Sequence, residues 1–123
     1  MLILETLAVA FGGALGATLR YYISIGIHAR FGVVFPYGTL TVNLAGCFIL
    51  GLTASFCLRH PEMPLPIKLF LITGLLGGLT TFSTFSLETF ELLLNNTVFG
   101  FINIALSLIG GLAMVALGMR IGA

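Results

Sequence analysis

The run GLLGGLTTFSTFSLE, from Gly74 to Glu88, concentrates the chain's chemistry. Gly74, Gly77 and Gly78 precede Thr80, Thr81, Ser83, Thr84 and Ser86 inside an otherwise apolar segment. Each glycine lowers helix propensity by about 1 kcal/mol, so three in five residues favour a local break. A break frees carbonyls on one side and N–H groups on the other, as in the discontinuous helices that hold ions at mid-membrane. Freed carbonyls suit a dehydrated cation and freed amides an anion, so the break alone does not choose the sign.

The neighbouring side chains bear on that choice. Phe82 and Phe85 share one helix face, with the hydroxyls of Ser83 and Thr84 beside them. An aromatic ring has a positive edge, which can accept a small anion that hydroxyl and amide donors also grip. Sites of this kind lack a full positive charge, bind weakly and permit throughput. Asn43, a strong polar residue in the second apolar segment, could donate to an anion or hydrogen-bond another helix. Asn103 and Ser107, four residues apart, could extend a polar track or join helices. Glu88, one turn beyond Phe85, could be a gate, a proton carrier or a partner for Arg20.

Other chemistry is not supported. His28 and His60 fall in separate expected loops, without the cysteine or carboxylate spacing of a metal site. Cys47 and Cys57 are too far apart along one helix for a disulfide and read as inert membrane thiols. No nucleophile–base pattern or phosphate loop is present. The net charge of +1 without a basic run offers nothing to nucleic acid.

The elements that position these residues are membrane spans. With 59% hydrophobic and 7% charged residues, the chain is poorer in charge than soluble domains, which carry about 25%. Long uncharged intervals at 31–58, 69–87 and 92–119 each exceed or approach the roughly 20 apolar residues of a span. The first segment is interrupted by Arg20 and needs extension to Ile27, leaving that charge to snorkel or face a wet cavity. It has no basic residue before its apolar part and continues directly into Tyr21 and Tyr22, so it reads as a span rather than a signal peptide. Turn residues at 31–38 and 59–66, and Asn95-Asn96, divide the chain. The expected fold is an all-α membrane domain over residues 1–123, with helices at about 3–27, 36–59, 66–94 and 97–120 and the third broken near its centre.

Four such helices supply too little protein to enclose a pore, so oligomerisation in the bilayer is expected. The pairs Gly12/Gly16, Gly74/Gly78 and Gly118/Gly122 have the small-xxx-small spacing of closely packed membrane helices. Arg59, Lys68 and Arg120 lie on one side and Arg20 and Arg30 toward the other, a slight orientation bias that permits insertion both ways. No internal repeat matches the polar centre of the third segment, so symmetry requires a second copy.

GGLTTFSTFSLE at 77–88, with GTLTVNLAG at 38–46 and GGALGATLRY at 12–21, closely resembles the Fluc (CrcB) fluoride-channel family over nearly the whole chain. The resemblance implies a dual-topology antiparallel homodimer in the cell (inner) membrane, with two fluoride pores. It also implies a central sodium ion held by backbone carbonyls, here those of Gly77 and Thr80. It assigns Phe82 and Phe85 to aromatic fluoride sites, Asn43 to hydrogen bonding along the pathway, Ser83 and Thr84 to its polar lining, and Ser107 to a track on the fourth helix. Glu88 stands with this pathway, and Arg20 corresponds to an arginine near an aqueous entrance, where it concentrates anions. Gly111 and Val115 replace polar residues that some relatives carry beyond Ser107.

The implied activity is passive export of cytoplasmic fluoride, without catalysis. Two rivals remain at the level of sequence. A proton-coupled small multidrug-type exporter would want a first-helix glutamate within the membrane, whereas Glu5 sits at the helix entrance and leaves Glu88 as candidate. A non-conducting scaffold would use its polar residues only to join helices.

Overall fold

The computed structural model describes residues 1–123 and is helical throughout. Helix α1 runs Leu2–Phe31, α2 Tyr37–Arg59, α5 Phe82–Asn95 and α6 Thr97–Gly122. Between α2 and α5 lie a short α3, Leu65–Lys68, a π-helical stretch, Leu69–Leu76, and a single turn α4, Gly77–Leu79. Counting Leu65–Asn95 as one unit, four helical segments are long and apolar enough to cross a membrane. The chain is a multi-pass membrane protein.

Local chemistry sets the ends. Helix α1 continues past the expected limit at Ile27 because no breaker intervenes before Gly32, whose φ of 80° favours glycine. The Gly32 amide closes that end on the His28 carbonyl at 2.9 Å. Pro66 sits in the first turn of α3, where its missing N–H costs nothing. Asn96 caps α6 by accepting the Phe99 N–H at 3.1 Å. In the loop after α2, the His60 ring Nδ1 lies 3.1 Å from the Glu62 carboxylate, in hydrogen-bond contact. The Glu62 carboxyl is held below the usual carboxylate range by its own backbone N–H and by His60.

Two close helix pairs make the bundle. Helix α1 packs on the stretch 69–79, and α2 packs on α6. Gly12 and Gly16 face Gly74 and Gly78: a Cβ on Gly12 would lie 2.8 Å from the Leu75 nitrogen, and one on Gly78 would lie 2.7 Å from the Gly13 carbonyl oxygen. On the other side Gly118 meets Gly51, with 3.1 Å between a Gly118 Cβ and the Gly51 Cα, and Gly122 meets Ser55. The row Gly51/Ser55 that receives Gly118/Gly122 is itself a small-xxx-small pair, supplied by α2. The Leu69–Leu76 π stretch, not foreseen from the sequence, lies against α1. A π turn of this kind shifts the register of the residues that follow it.

Only Phe35, Val42, Leu76, Leu79 and Phe85 are buried large apolar residues. Phe11, Ile109 and Leu112 instead lie exposed along the spans, the surface expected of a protein whose solvent is lipid. Polar pins cross the interior where lipid cannot reach. Asn103, 2% exposed, donates to the Thr89 hydroxyl at 2.8 Å and ties α6 to α5. It therefore joins helices and does not extend a track with Ser107.

Candidate functional site

The helix after Gly77 stops within one turn. Thr80, at φ −88° and ψ 158°, and Thr81, at φ −152° and ψ 119°, are extended before α5 begins at Phe82. Asn43 of α2 takes both halves of the Thr81 backbone: its Oδ1 accepts the Thr81 N–H at 2.7 Å and its Nδ2 donates to the Thr81 carbonyl at 3.0 Å. The side chain thus supplies the partners that a continuous helix would have supplied, a requirement that lipid makes strict. Thr81 in turn caps α5, accepting the Thr84 N–H at 3.3 Å.

Beside this discontinuity lies a cleft of about 280 Å³ lined by Asn43, Gly77, Thr80, Phe82, Phe85 and Ser107, among others. Phe82 and Phe85 are tilted at 49° with ring centroids 5.6 Å apart. Their settings differ: Phe82 is 73% exposed and Phe85 8%. The Ser107 hydroxyl is buried on this cleft and has no hydrogen-bond partner within the chain. An orphaned hydroxyl is unusual in a protein interior, and it leaves Ser107 free to donate to an occupant of the cleft.

Ser83 and Thr84 stand outside that lining. Thr84 accepts from the Thr81 hydroxyl at 3.1 Å, and the exposed Ser83 hydroxyl lies 3.4 Å from the same group. Both serve the cap of α5.

Arg20 reaches the break itself, while Glu88 lies one to two turns beyond it along α5. Glu88 Oε1 accepts from the Thr39 hydroxyl at 3.0 Å, while Oε2 is buried without a partner. It lines a cavity of about 310 Å³ with His28, Glu91 and Asn95. Arg20 Nε donates to the Gly78 carbonyl at 3.1 Å, and its side chain lines a separate cavity of about 490 Å³ with Tyr21, Ser24 and His28. The two charges therefore do not pair: each is held by a neutral group on a neighbouring segment.

The carbonyls of Gly77 and Thr80 have lost the donors they would meet in an unbroken helix. The Thr81 amide is directed to Asn43 and the Thr84 amide to the Thr81 hydroxyl. Carbonyl oxygens released in this way are the groups that coordinate sodium at broken membrane helices.

Three participants escaped the reading from sequence. Thr39 holds Glu88, Thr81 links Asn43 to α5, and Thr89 receives Asn103. The signal for Thr39 was its place four residues before Asn43, on the same face of one helix. Nothing in the spacing singled out Thr81 or Thr89 from the other hydroxyls.

The chain matches the family described as "CrcB-like protein, Camphor Resistance (CrcB)" over residues 7–119. It is 44% identical over 117 residues to the fluoride-specific ion channel FluC of Chloroflexus aurantiacus, covering 94% of this chain and 93% of the relative. Similarity to proteins of the same name extends to Clostridium perfringens, at 46% over 120 residues (97% and 94% covered), and Bordetella petrii, at 48% over 119 residues (94% and 89% covered). With the match running from the first helix to the last, across the broken third segment and its asparagine clamp, the chain belongs to the CrcB-like family.

Proposed function

We propose that this protein is a fluoride-selective channel that lets cytoplasmic fluoride leave passively and so lowers its toxicity. The observation that carries the reading is the cleft beside the break, where the unpartnered Ser107 hydroxyl shares a wall with Asn43, Phe82 and Phe85. Fluoride is small and strongly hydrated, so it enters a dry passage only where donors replace its water. The Ser107 hydroxyl, the Asn43 Nδ2 proton not used on Thr81, and the ring edges of Phe82 and Phe85 are such donors. None is a full charge, so an anion is passed on rather than trapped. Glu88 and Arg20 act nearer the mouth, Arg20 by raising the local anion concentration. The relatives' names, fluoride-specific ion channel, support the choice of ion.

The working unit is a homodimer of oppositely inserted copies. Phe82, Gly77 and Ser83 are exposed at the level of the break, and irregular backbone at membrane depth needs protein or a wet cavity beside it. A second copy provides that cover and brings Ser83 and Thr84 toward a pathway. The weak division of Arg59, Lys68 and Arg120 from Arg20 and Arg30 favours neither orientation strongly. A sodium ion at the dimer centre is held by the Gly77 and Thr80 carbonyls, whose helical donors are spent elsewhere. Its charge would fix the broken backbone of both copies.

Liposomes loaded with potassium fluoride or potassium chloride test the reading. Fluoride efflux is expected to be fast without a proton gradient and to exceed chloride efflux greatly. Equal chloride flux, a requirement for a proton gradient, or no flux of either anion would reject it.

A further inference from the structure

His28 does not sit in a loop. It lies in the last turns of α1, which continues to Phe31, and it lines two cavities at once. One contains Glu88, Glu91 and Asn95, the other Arg20, Tyr21 and Ser24. The imidazole has room at this boundary because Gly38, in the first turn of α2, lies against it: a Cβ on Gly38 would lie 3.0 Å from His28 Nε2. The next residue, Thr39, is the one that holds Glu88. One short stretch of α2 thus sets the imidazole and the carboxylate on the same cavity.

We propose that His28 is a further residue of the ion pathway's mouth, whose protonated form offsets the Glu88 and Glu91 carboxylates and speeds fluoride entry. The proposal rests on the fluoride-channel reading above. The charged and titratable groups around the imidazole come from two elements: Arg20 and Tyr21 from α1, Glu88 and Glu91 from α5. Helix α2 offers only Tyr37 near this end, and α6 has no titratable group before Arg120. With His28 neutral, the Glu88 cavity has two carboxylates and no cation in its wall. With His28 protonated, a positive charge stands between that cavity and the one holding Arg20, and an anion meets a less repulsive route.

Histidine as a residue type changes charge between about pH 5 and 8, which makes that the range in which to look for the effect. One added charge some angstroms from a wet pathway alters anion entry by about two- to threefold at low ionic strength, and by less as salt screens it. The sequence reading placed His28 in a loop, because neither the extra turn of α1 nor the seat against Gly38 is visible in the order of residues.

The test is fluoride current through the full-length protein in planar bilayers, at low ionic strength, from pH 8 to pH 5.5. Current reports only the anion, so permeation of neutral hydrogen fluoride through lipid does not contribute. Wild-type current is expected to rise about two- to threefold on acidification. In a Glu88→Gln background, which removes the carboxyl whose own protonation would imitate the effect, the rise is expected to persist with His28 in place and to be absent from His28→Gln, read against its own current at pH 8, and from His28→Arg, whose charge is fixed. High salt is expected to flatten the wild-type profile. A flat wild-type profile, or the same rise in His28→Gln on the Glu88→Gln background, overturns the proposal while leaving the channel reading intact. Absence of fluoride current from wild type at every pH overturns both.

Discussion

Asn43 grips the Thr81 backbone from both sides, accepting its N–H at 2.7 Å and donating to its carbonyl at 3.0 Å. A single carboxamide on α2 thereby satisfies the polar backbone at the point where the third span loses its helix. The same helix face holds Glu88 through Thr39, so α2 acts as the template on which the discontinuous segment is laid. The two contacts explain why a membrane chain tolerates an interruption that lipid would otherwise penalise.

Asn43→Ala leaves the part-buried Thr81 N–H and carbonyl without partners, at a cost of about 1–3 kcal/mol for such groups. The expected outcome is a lower melting temperature in detergent together with a loss of fluoride flux of more than about tenfold, since about 1.4 kcal/mol corresponds to a factor of ten. Melting and liposome flux measured on one preparation decide it. Unchanged stability would show that the clamp is not needed to hold the break.

Phe82→Ile and Phe85→Ile are expected to reduce fluoride conduction alike but stability unequally. Phe85 is 8% exposed and its loss of shape disturbs a packed site, for which about 1–3 kcal/mol is usual. Phe82, 73% exposed in the subunit, has little to lose within it. Single-channel current and thermal melting, compared across the pair, separate the two effects. Conduction unaltered in both variants would remove the aromatic sites from the pathway.

Ser107→Ala removes a hydroxyl that has no partner within the chain, so no group is orphaned by the change. The melting temperature is expected to stay within about two degrees or rise slightly, consistent with a stability change of under roughly 0.5 kcal/mol. Fluoride current is expected to fall severalfold. A variant with full current would mean that the hydroxyl does not meet the ion, whereas a large drop in stability would mean that it has a packing role.

Sodium removal addresses the carbonyls of Gly77 and Thr80. The expected outcome of exhaustive exchange into N-methylglucamine is slower fluoride efflux and a less stable dimer, both restored by returning sodium. Efflux and the monomer–dimer balance by size-exclusion chromatography provide two independent readings. Indifference of both to sodium would argue against a required cation at the break.

The sequence by itself determined the membrane spans, because long apolar stretches bounded by turn residues have no other stable solution in a bilayer. It also pointed to the segment from Gly74 to Glu88, since glycines and hydroxyls inside a span contradict the demands of lipid unless they serve a site. Spacing exposed the glycine rows of α1 and the third span, whose Cβ positions would collide with facing backbone. What composition and periodicity could not contain was the pairing of partners distant in the chain. Asn43 with Thr81, Thr39 with Glu88 and Asn103 with Thr89 are separated by 38, 49 and 14 residues. Any of several hydroxyls satisfied the sequence equally well. Only the packing of α2 against the broken segment, and of α5 against α6, selected among them, because a hydrogen bond depends on distances of tenths of an ångström that the order of residues does not encode. The same packing sent Asn103 into a helix contact, kept Arg20 from Glu88, and seated His28 between two cavities.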